Sequence, residues 1–247
     1  MQDQCICGDA AAFITLYGES RPGLHATCGL VSPKYNTAMD AHSHESPNRI
    51  VALLGNSGAG KTALAEALHD AFGYPLLLES HAERPYQVAF MRERERWGFH
   101  NQVDYLLHRA EQERAWQAQP GIALSDGGLD LDFIFTRFFH SRGYLSAGEL
   151  AICERLYAEL RRSLGVPLLF LHLSAPIPQL VANRARRARP IDVIQDEDLP
   201  AIEESLQAWL TEQGDAIPCL TLPSDDLLLK EKNLGEIDAR IRAHAAG

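Results

Sequence analysis

The sequence lacks the marks of several protein classes. No apolar run approaches the roughly 20 residues needed to cross a bilayer, so no membrane-spanning segment is expected. The first residues have no basic stretch leading into an apolar one, so no secretory signal is expected either. The five cysteines, Cys5, Cys7, Cys28, Cys153 and Cys219, form no C-x-x-C pair and no four-ligand zinc spacing. That argues against a disulfide framework and for reduced thiols in the cytoplasm. Cations are short as well: 23 Lys and Arg stand against 33 Asp and Glu, a net charge of −10. A chain without a basic surplus is a poor wrapper of nucleic-acid polymer, because phosphate contacts need a basic stripe. A small anionic ligand stays compatible, since local charge can oppose the total. No internal repeat and no long low-complexity tract occurs.

What is present fits one globular α/β domain: 247 residues, 46% of them hydrophobic, enough for a sizeable core. Residues 1–48 stand apart. They mix small, polar and turn-forming residues without a helical or strand period, and end in a polar linker from His42 to Asn48. They are expected to be a disordered extension, or sequence upstream of a true start at Met39. From Arg49 onward, short apolar runs (50–54, 74–78, 122–124, 167–173 and 217–222) alternate with amphipathic stretches (60–72, 98–118, 131–142, 146–164, 175–188, 196–213 and 231–244). Apolar runs of this length without polar alternation suit strands covered on both faces. The alternation predicts one α/β domain over 49–247, with a five-stranded parallel sheet and helices on both faces.

The first run leads directly into Gly55-Asn56-Ser57-Gly58-Ala59-Gly60-Lys61-Thr62, and a helical pattern follows. This is the setting that a G-x-x-x-x-G-K-[ST] phosphate loop requires. The glycines let successive N–H groups turn inward toward phosphate oxygens, and the helix start adds its positive dipole end. Lys61 is expected to reach the β- and γ-phosphates, and Thr62 to serve a Mg²⁺ ion. The loop predicts that the α/β domain is of the P-loop NTPase type, with ATP and Mg²⁺ as cofactors. It says nothing of the acceptor.

Four further features make the chain, over residues 49 to 213, similar to the deoxynucleoside kinase family. Glu79 ends the second apolar run, 18 residues after Lys61. Phe99-His100-Asn101-Gln102 opens a long helical pattern with Arg109 seven residues on. Arg184, Arg187 and Arg189 follow the fourth run with spacing R-x-x-R-x-R. A stretch from Asp198 to Trp209-Leu210 follows. The resemblance implies transfer of the γ-phosphate of ATP to the 5′-hydroxyl of a (deoxy)nucleoside. It makes Glu79 the general base, Gln102 a nucleobase contact, and Arg187 and Arg189, with Lys61, the cations on the transferred phosphate. It makes Arg109, Tyr86 and Asp192 substrate contacts, and Asp126 a partner of Thr62 at Mg²⁺. It also suggests a homodimer through the helices at 98–118 and 146–164. Taken alone, a strand-end carboxylate also serves to solvate an edge, and Gln102 with Arg109 also fits a polar stripe on an exposed helix. The apolar stripe of Leu150, Cys153, Leu156, Tyr157 and Leu160 suits core packing as well as a dimer seam.

One element departs from the family pattern. After the third strand the family carries an acid–Arg–Ser triplet. Here it reads Asp126-Gly127-Gly128, and the arginine is missing. Arg84, Arg137 and Arg142 are nearby in sequence, without an evident place in the site. Asp130 and Asp132 both fall where the family places a base-contacting acid, and the two glycines leave the register open. A kinase for a nucleoside monophosphate or another small molecule, or a nucleotide-binding protein with weakened catalysis, stays compatible with these residues.

Overall fold

The computed structural model describes residues 48–79, 84–187, 192–225 and 229–246. The extension predicted over 1–48 therefore lies outside the described residues except for Asn48, as does Arg189. Five strands, β1 (Ile50–Gly55), β2 (Leu76–Leu77), β3 (Ala123–Asp126), β4 (Leu169–Ser174) and β5 (Cys219–Pro223), form one sheet in the order β2-β3-β1-β4-β5. Every pairing is parallel. β1, β3 and β4 are buried almost throughout, as the unbroken apolar runs require, and β5 at the edge is only partly covered.

Eight α-helices accompany the sheet among the described residues: α1 (Lys61–Phe72), α2 (Gln87–Arg92), α3 (Arg94–Gln117), α4 (Gly128–Ser141), α5 (Ala147–Leu164), α6 (Ile177–Arg187), α7 (Leu199–Gln213) and α8 (Glu231–Ala246). Each predicted helical stretch is present. The segment 84–97 holds α2 and the first turn of α3. The break between them is Glu93, with φ −138° and ψ 77°. At Gly98 the chain needs glycine for proximity rather than for φ: a Cβ there would sit 2.4 Å from the backbone oxygen of Tyr144.

The sheet order fixes where a ligand goes. From β1 the chain moves to one side for β2 and β3, then crosses to the other for β4 and β5. In open parallel sheets the crevice at the carboxyl ends of the strands beside such a reversal is the binding position. Here that crevice lies between the ends of β1 and β3, where Leu53 pairs with Asp126.

A buried ionic cluster ties the helices on the acceptor side. Arg161 of α5 donates to both oxygens of Glu113 on α3, at 2.7 and 2.8 Å, and to Asp130 on α4, at 2.9 and 3.1 Å. Tyr157 also donates to Asp130 at 2.7 Å. Leu150, Cys153 and Tyr157 are buried in the core, so the apolar stripe of α5 is core in large part. Burial pushes the Cys153 thiol up to about 12, which keeps it an inert, neutral packing group at ordinary pH.

Candidate active site

The phosphate loop has its shape because β1 ends on Gly55 and α1 begins on Lys61, with Gly55, Gly58 and Gly60 at positive φ. Two of them are also required by packing. A Cβ on Gly55 would meet the Leu173 backbone oxygen at 2.7 Å, and one on Gly58 would meet that of Leu180 at the same distance. Neighbouring elements pin the loop. Asn56 donates to the carbonyl of Leu199 on α7 (2.8 Å) and accepts from the N–H of Ser57 (2.8 Å). Asn183 of α6 donates to the Gly58 carbonyl at 2.8 Å, and Ser224 donates to that of Ala59 at 2.6 Å. The Lys61 ammonium folds back on the loop, 2.8 Å from the Gly55 oxygen and 3.0 Å from that of Asn56. Thr62 donates to Asp126 across the crevice at 2.5 Å. A hydroxyl and a carboxylate brought together beside a phosphate loop suit a hard cation such as Mg²⁺, which takes oxygen ligands.

The acceptor side is made by α3. Its buried residues, among them Asn101, Gln102, Tyr105, Arg109 and Glu113, recur at helical spacing on one face. The polar stripe therefore points inward, which excludes the exposed-helix reading of Gln102 and Arg109. A cavity of about 660 Å³ runs from the phosphate loop to this stripe. Lys61, Thr62, Glu79, Gln102, Arg109 and Asp126 all line it, and so do Asp192 and Arg187.

Arg109 holds the centre. Its guanidinium is 1% exposed and donates from Nε to Asp132 at 2.7 Å and from Nη2 to the Asp126 carbonyl at 3.0 Å. The same Nη2 lies 3.8 Å from Glu79. Burial works against the charge, but Asp132 and Glu79 outweigh it, and the pKa is raised above its ordinary value. Burial, with Glu79 and Asp132 adding to it, likewise keeps the Tyr105 phenol neutral. A Cβ on Gly127 would sit 3.5 Å from Nη2 of Arg109 and 3.1 Å from Leu131. Gly127 itself has φ 88° and ψ −64°, which disfavours any side chain. The Arg109 guanidinium arriving from α3 thus lies beside position 127, where the arginine of the triplet is missing.

The Asp130–Asp132 ambiguity is resolved by the fold. The two residues are two apart on α4, so they face nearly opposite ways: Asp130 joins the buried Arg161 cluster, and Asp132 faces the cleft on Arg109. Thr136, one turn beyond Asp132, donates to Oε1 of Gln102 at 2.9 Å and fixes that amide.

Other expected residues fall less centrally. Tyr86 does not line the cleft. Its ring stacks on Trp97 at 5.8 Å and tilts against His100 at 5.6 Å. Asp192 lines the cleft but pairs with arginines of α6, 3.3 Å from Arg184 and 3.8 Å from Arg187. Arg184 reaches Ser57 of the phosphate loop at 2.8 Å, a contact that the arginine spacing signalled without fixing which arginine makes it. Arg84, Arg137 and Arg142 pair with Asp104, Glu212 and Asp198 and do not line the cleft. Two cleft-lining amides, Gln87 and Asn101, had no signal in the sequence beyond the adjacency of Asn101 to Gln102.

Comparison with known proteins agrees with this geometry. The deoxynucleoside kinase family model matches residues 51–245. The chain belongs to the deoxynucleoside kinase family. It is 28% identical over 203 residues to a deoxyguanosine kinase of Bacillus subtilis, covering 78% of this chain and 94% of that one. It is 29% identical over 161 residues to a deoxyadenosine kinase of Dictyostelium discoideum, covering 64% of each. Among solved structures, deoxyadenosine kinase from M. mycoides with bound dCTP superposes with a TM-score of 0.66 at 16% identity, over 77% of this chain and 99% of that one. The same enzyme with bound dATP gives 0.67 at 17% identity, over 76% and 99%. Family membership makes this chain a nucleoside kinase-type phosphotransferase with the five-stranded parallel P-loop fold. No helix among the described residues is long and apolar enough to cross a membrane.

Proposed function

We propose that the chain transfers the γ-phosphoryl group of ATP to the 5′-hydroxyl of a deoxynucleoside, with Glu79 as general base and Arg109 as the cation beside it. The observation that carries this reading is the position of the Arg109 guanidinium, between Glu79 and the Asp126 carbonyl at the inner end of the phosphate-loop cleft. The 5′-hydroxyl oxygen attacks the γ-phosphorus, its proton passes to the Glu79 carboxylate, and the bond to the bridging β–γ oxygen breaks to release ADP. Lys61 turns from the loop carbonyls to the transferred phosphoryl group. Arg187 and Arg189 add positive charge to the transferred group, and Arg184 holds α6 against Ser57. Thr62 and Asp126 suit a magnesium ion, which would offset charge on the β- and γ-phosphates when bound. Gln102 reads the base edge, with Asp132 and Arg109 beside it, and Asp192 closes the sugar side.

A cation at this point weakens the case for a catalytically impaired binder, because the missing arginine was the main support for that reading. It also bears on the monophosphate-kinase reading: Arg109 is committed to Asp132, and Arg84 to Asp104, which leaves neither aimed at an acceptor phosphate. A homodimer through α3 and α5 belongs to the same proposal, and Leu107 and Ile152 are the large apolar side chains those helices expose. The reading predicts the cytoplasm as the place of action.

The test is ADP release with Mg·ATP and a panel of the four common deoxynucleosides and their ribonucleoside counterparts. At least one deoxynucleoside is expected to raise turnover well above ATP hydrolysis alone, with its 5′-monophosphate as product. ATP binding without monophosphate from any member of the panel would overturn the proposal.

A further inference from the structure

Two carboxamides that line the cleft beside the acceptor stripe are not used by the phosphotransfer scheme. Gln87 is the first residue of α2, and Asn101 precedes Gln102 on the inward stripe of α3. They are 3% and 1% exposed, and both line the cleft. The side-chain oxygen of each has no hydrogen-bond partner among the described residues. Other buried side-chain atoms share that condition, on Asn48, Arg84, His172 and Gln213 for example, but none of those residues lines this cleft.

A buried carbonyl without a donor is costly, and folded proteins leave few of them. The neighbouring cleft groups are arranged differently. Gln102 already accepts from Thr136, and Arg109 already donates to Asp132 and to the Asp126 carbonyl. Those groups are held in place by the protein itself. Gln87 and Asn101 are held by packing but left unpaired at their oxygens, on the wall that faces the acceptor.

We infer that Gln87 and Asn101 are acceptor-binding residues, whose carboxamide oxygens each take a hydrogen bond from an O–H or N–H of the bound nucleoside. This rests on the nucleoside-kinase reading above and sharpens it: the acceptor must present donors toward α2 and α3, besides the edge that Gln102 reads. Sugar hydroxyls and exocyclic base amines are both such donors, and the sequence of the site does not separate them. An acceptor lacking the matching donor leaves the oxygen unpaired in the complex and is rejected, the usual source of strong discrimination by a polar site.

The experiment pairs Asn101→Leu and Gln87→Met, which keep side-chain size, with analogues of the parent deoxynucleoside that each lack one donor: 3′-deoxy, and N,N-dimethylated at the exocyclic amine. Each variant is expected to lose about tenfold or more in kcat/KM for the parent nucleoside, a hydrogen-bond-sized effect. The KM for ATP should stay within about twofold, and the thermal midpoint of the unliganded protein should be unchanged or higher. The loss should disappear against the one analogue whose missing hydrogen paired with that residue, which identifies sugar or base as the source. No loss, or the same loss against every analogue, would overturn the inference. If a variant does not fold, the analogue series on the unsubstituted protein still decides: at least one donor deletion besides the edge read by Gln102 must cost tenfold or more, and a flat series would overturn the inference. If the unsubstituted protein phosphorylates no nucleoside, it is the underlying functional reading that fails.

Discussion

The two ends of the cleft are built by different means. At the phosphate end the backbone does most of the work. Glycines at 55, 58 and 60 hold the loop open at positive φ, and side chains from α6, α7 and the end of β5 serve mainly to fix it. At the acceptor end the working atoms are side chains from three separate elements: Glu79 after β2, the stripe of α3, and Asp132 and Thr136 on α4. A backbone cradle is set by a few consecutive residues and tolerates little change. A side-chain wall can be re-specified one residue at a time. In that wall the chain carries Gly127 where its family has arginine, with the Arg109 guanidinium beside it, from a helix residue 18 positions earlier in the chain.

The comparison can be broken or sharpened by substitution. The largest effect is expected for Glu79→Gln, which should lower kcat by about a thousandfold, within the range for loss of a general base. Steady-state kinetics should show little change in the KM for ATP. Arg109→Met should lower kcat/KM for the acceptor by about a hundredfold, the scale of losing one charge-stabilising group, and Arg109→Lys should recover part of it. Nucleotide affinity measured by calorimetry should be nearly unmoved in both. Gly58→Ala should show the opposite signature. Its Cβ would collide with the Leu180 carbonyl at 2.7 Å, in a backbone conformation with φ 88°. Strain of about 1–3 kcal/mol is expected, read as weaker ATP binding with the acceptor KM preserved. The smallest effect is expected for Arg184→Ala, which removes the tie from α6 to Ser57. It should raise the KM for ATP about threefold to tenfold and leave the acceptor side unchanged.

The same contrast governs what can be read from sequence. The phosphate loop is local: strand, glycine turn and helix follow one another, so its residues were identifiable from spacing, and so was the parallel sheet behind it. Gln102 and Arg109 were identifiable as one face of one helix. That this face points inward was not, because α3 is polar enough to pass for an exposed helix, and the decision depends on what packs against it. Asp130 and Asp132 could not be distinguished because Gly127 and Gly128, both at positive φ, hide where α4 begins. Once the helix start is known, a separation of two residues sends one carboxylate to the Arg161 cluster and the other to the cleft. Tyr86 was drawn to the site by its position before the long helix, but the break at Glu93 turns it onto Trp97 and His100 instead. The place of Arg109 beside Gly127 is a contact between α3 and the end of β3, and no local pattern encodes it.

The measurement that tests the account most directly is a double-mutant cycle on kcat for Glu79→Gln and Arg109→Met with the best deoxynucleoside substrate. Groups that act as one unit give strongly non-additive losses. If Arg109 serves the base, the double variant should be little worse than Glu79→Gln alone. Losses that multiply, with the double variant worse by the full factor of Arg109→Met, would show that Arg109 acts independently of Glu79 and would contradict the proposal that Arg109 serves the base.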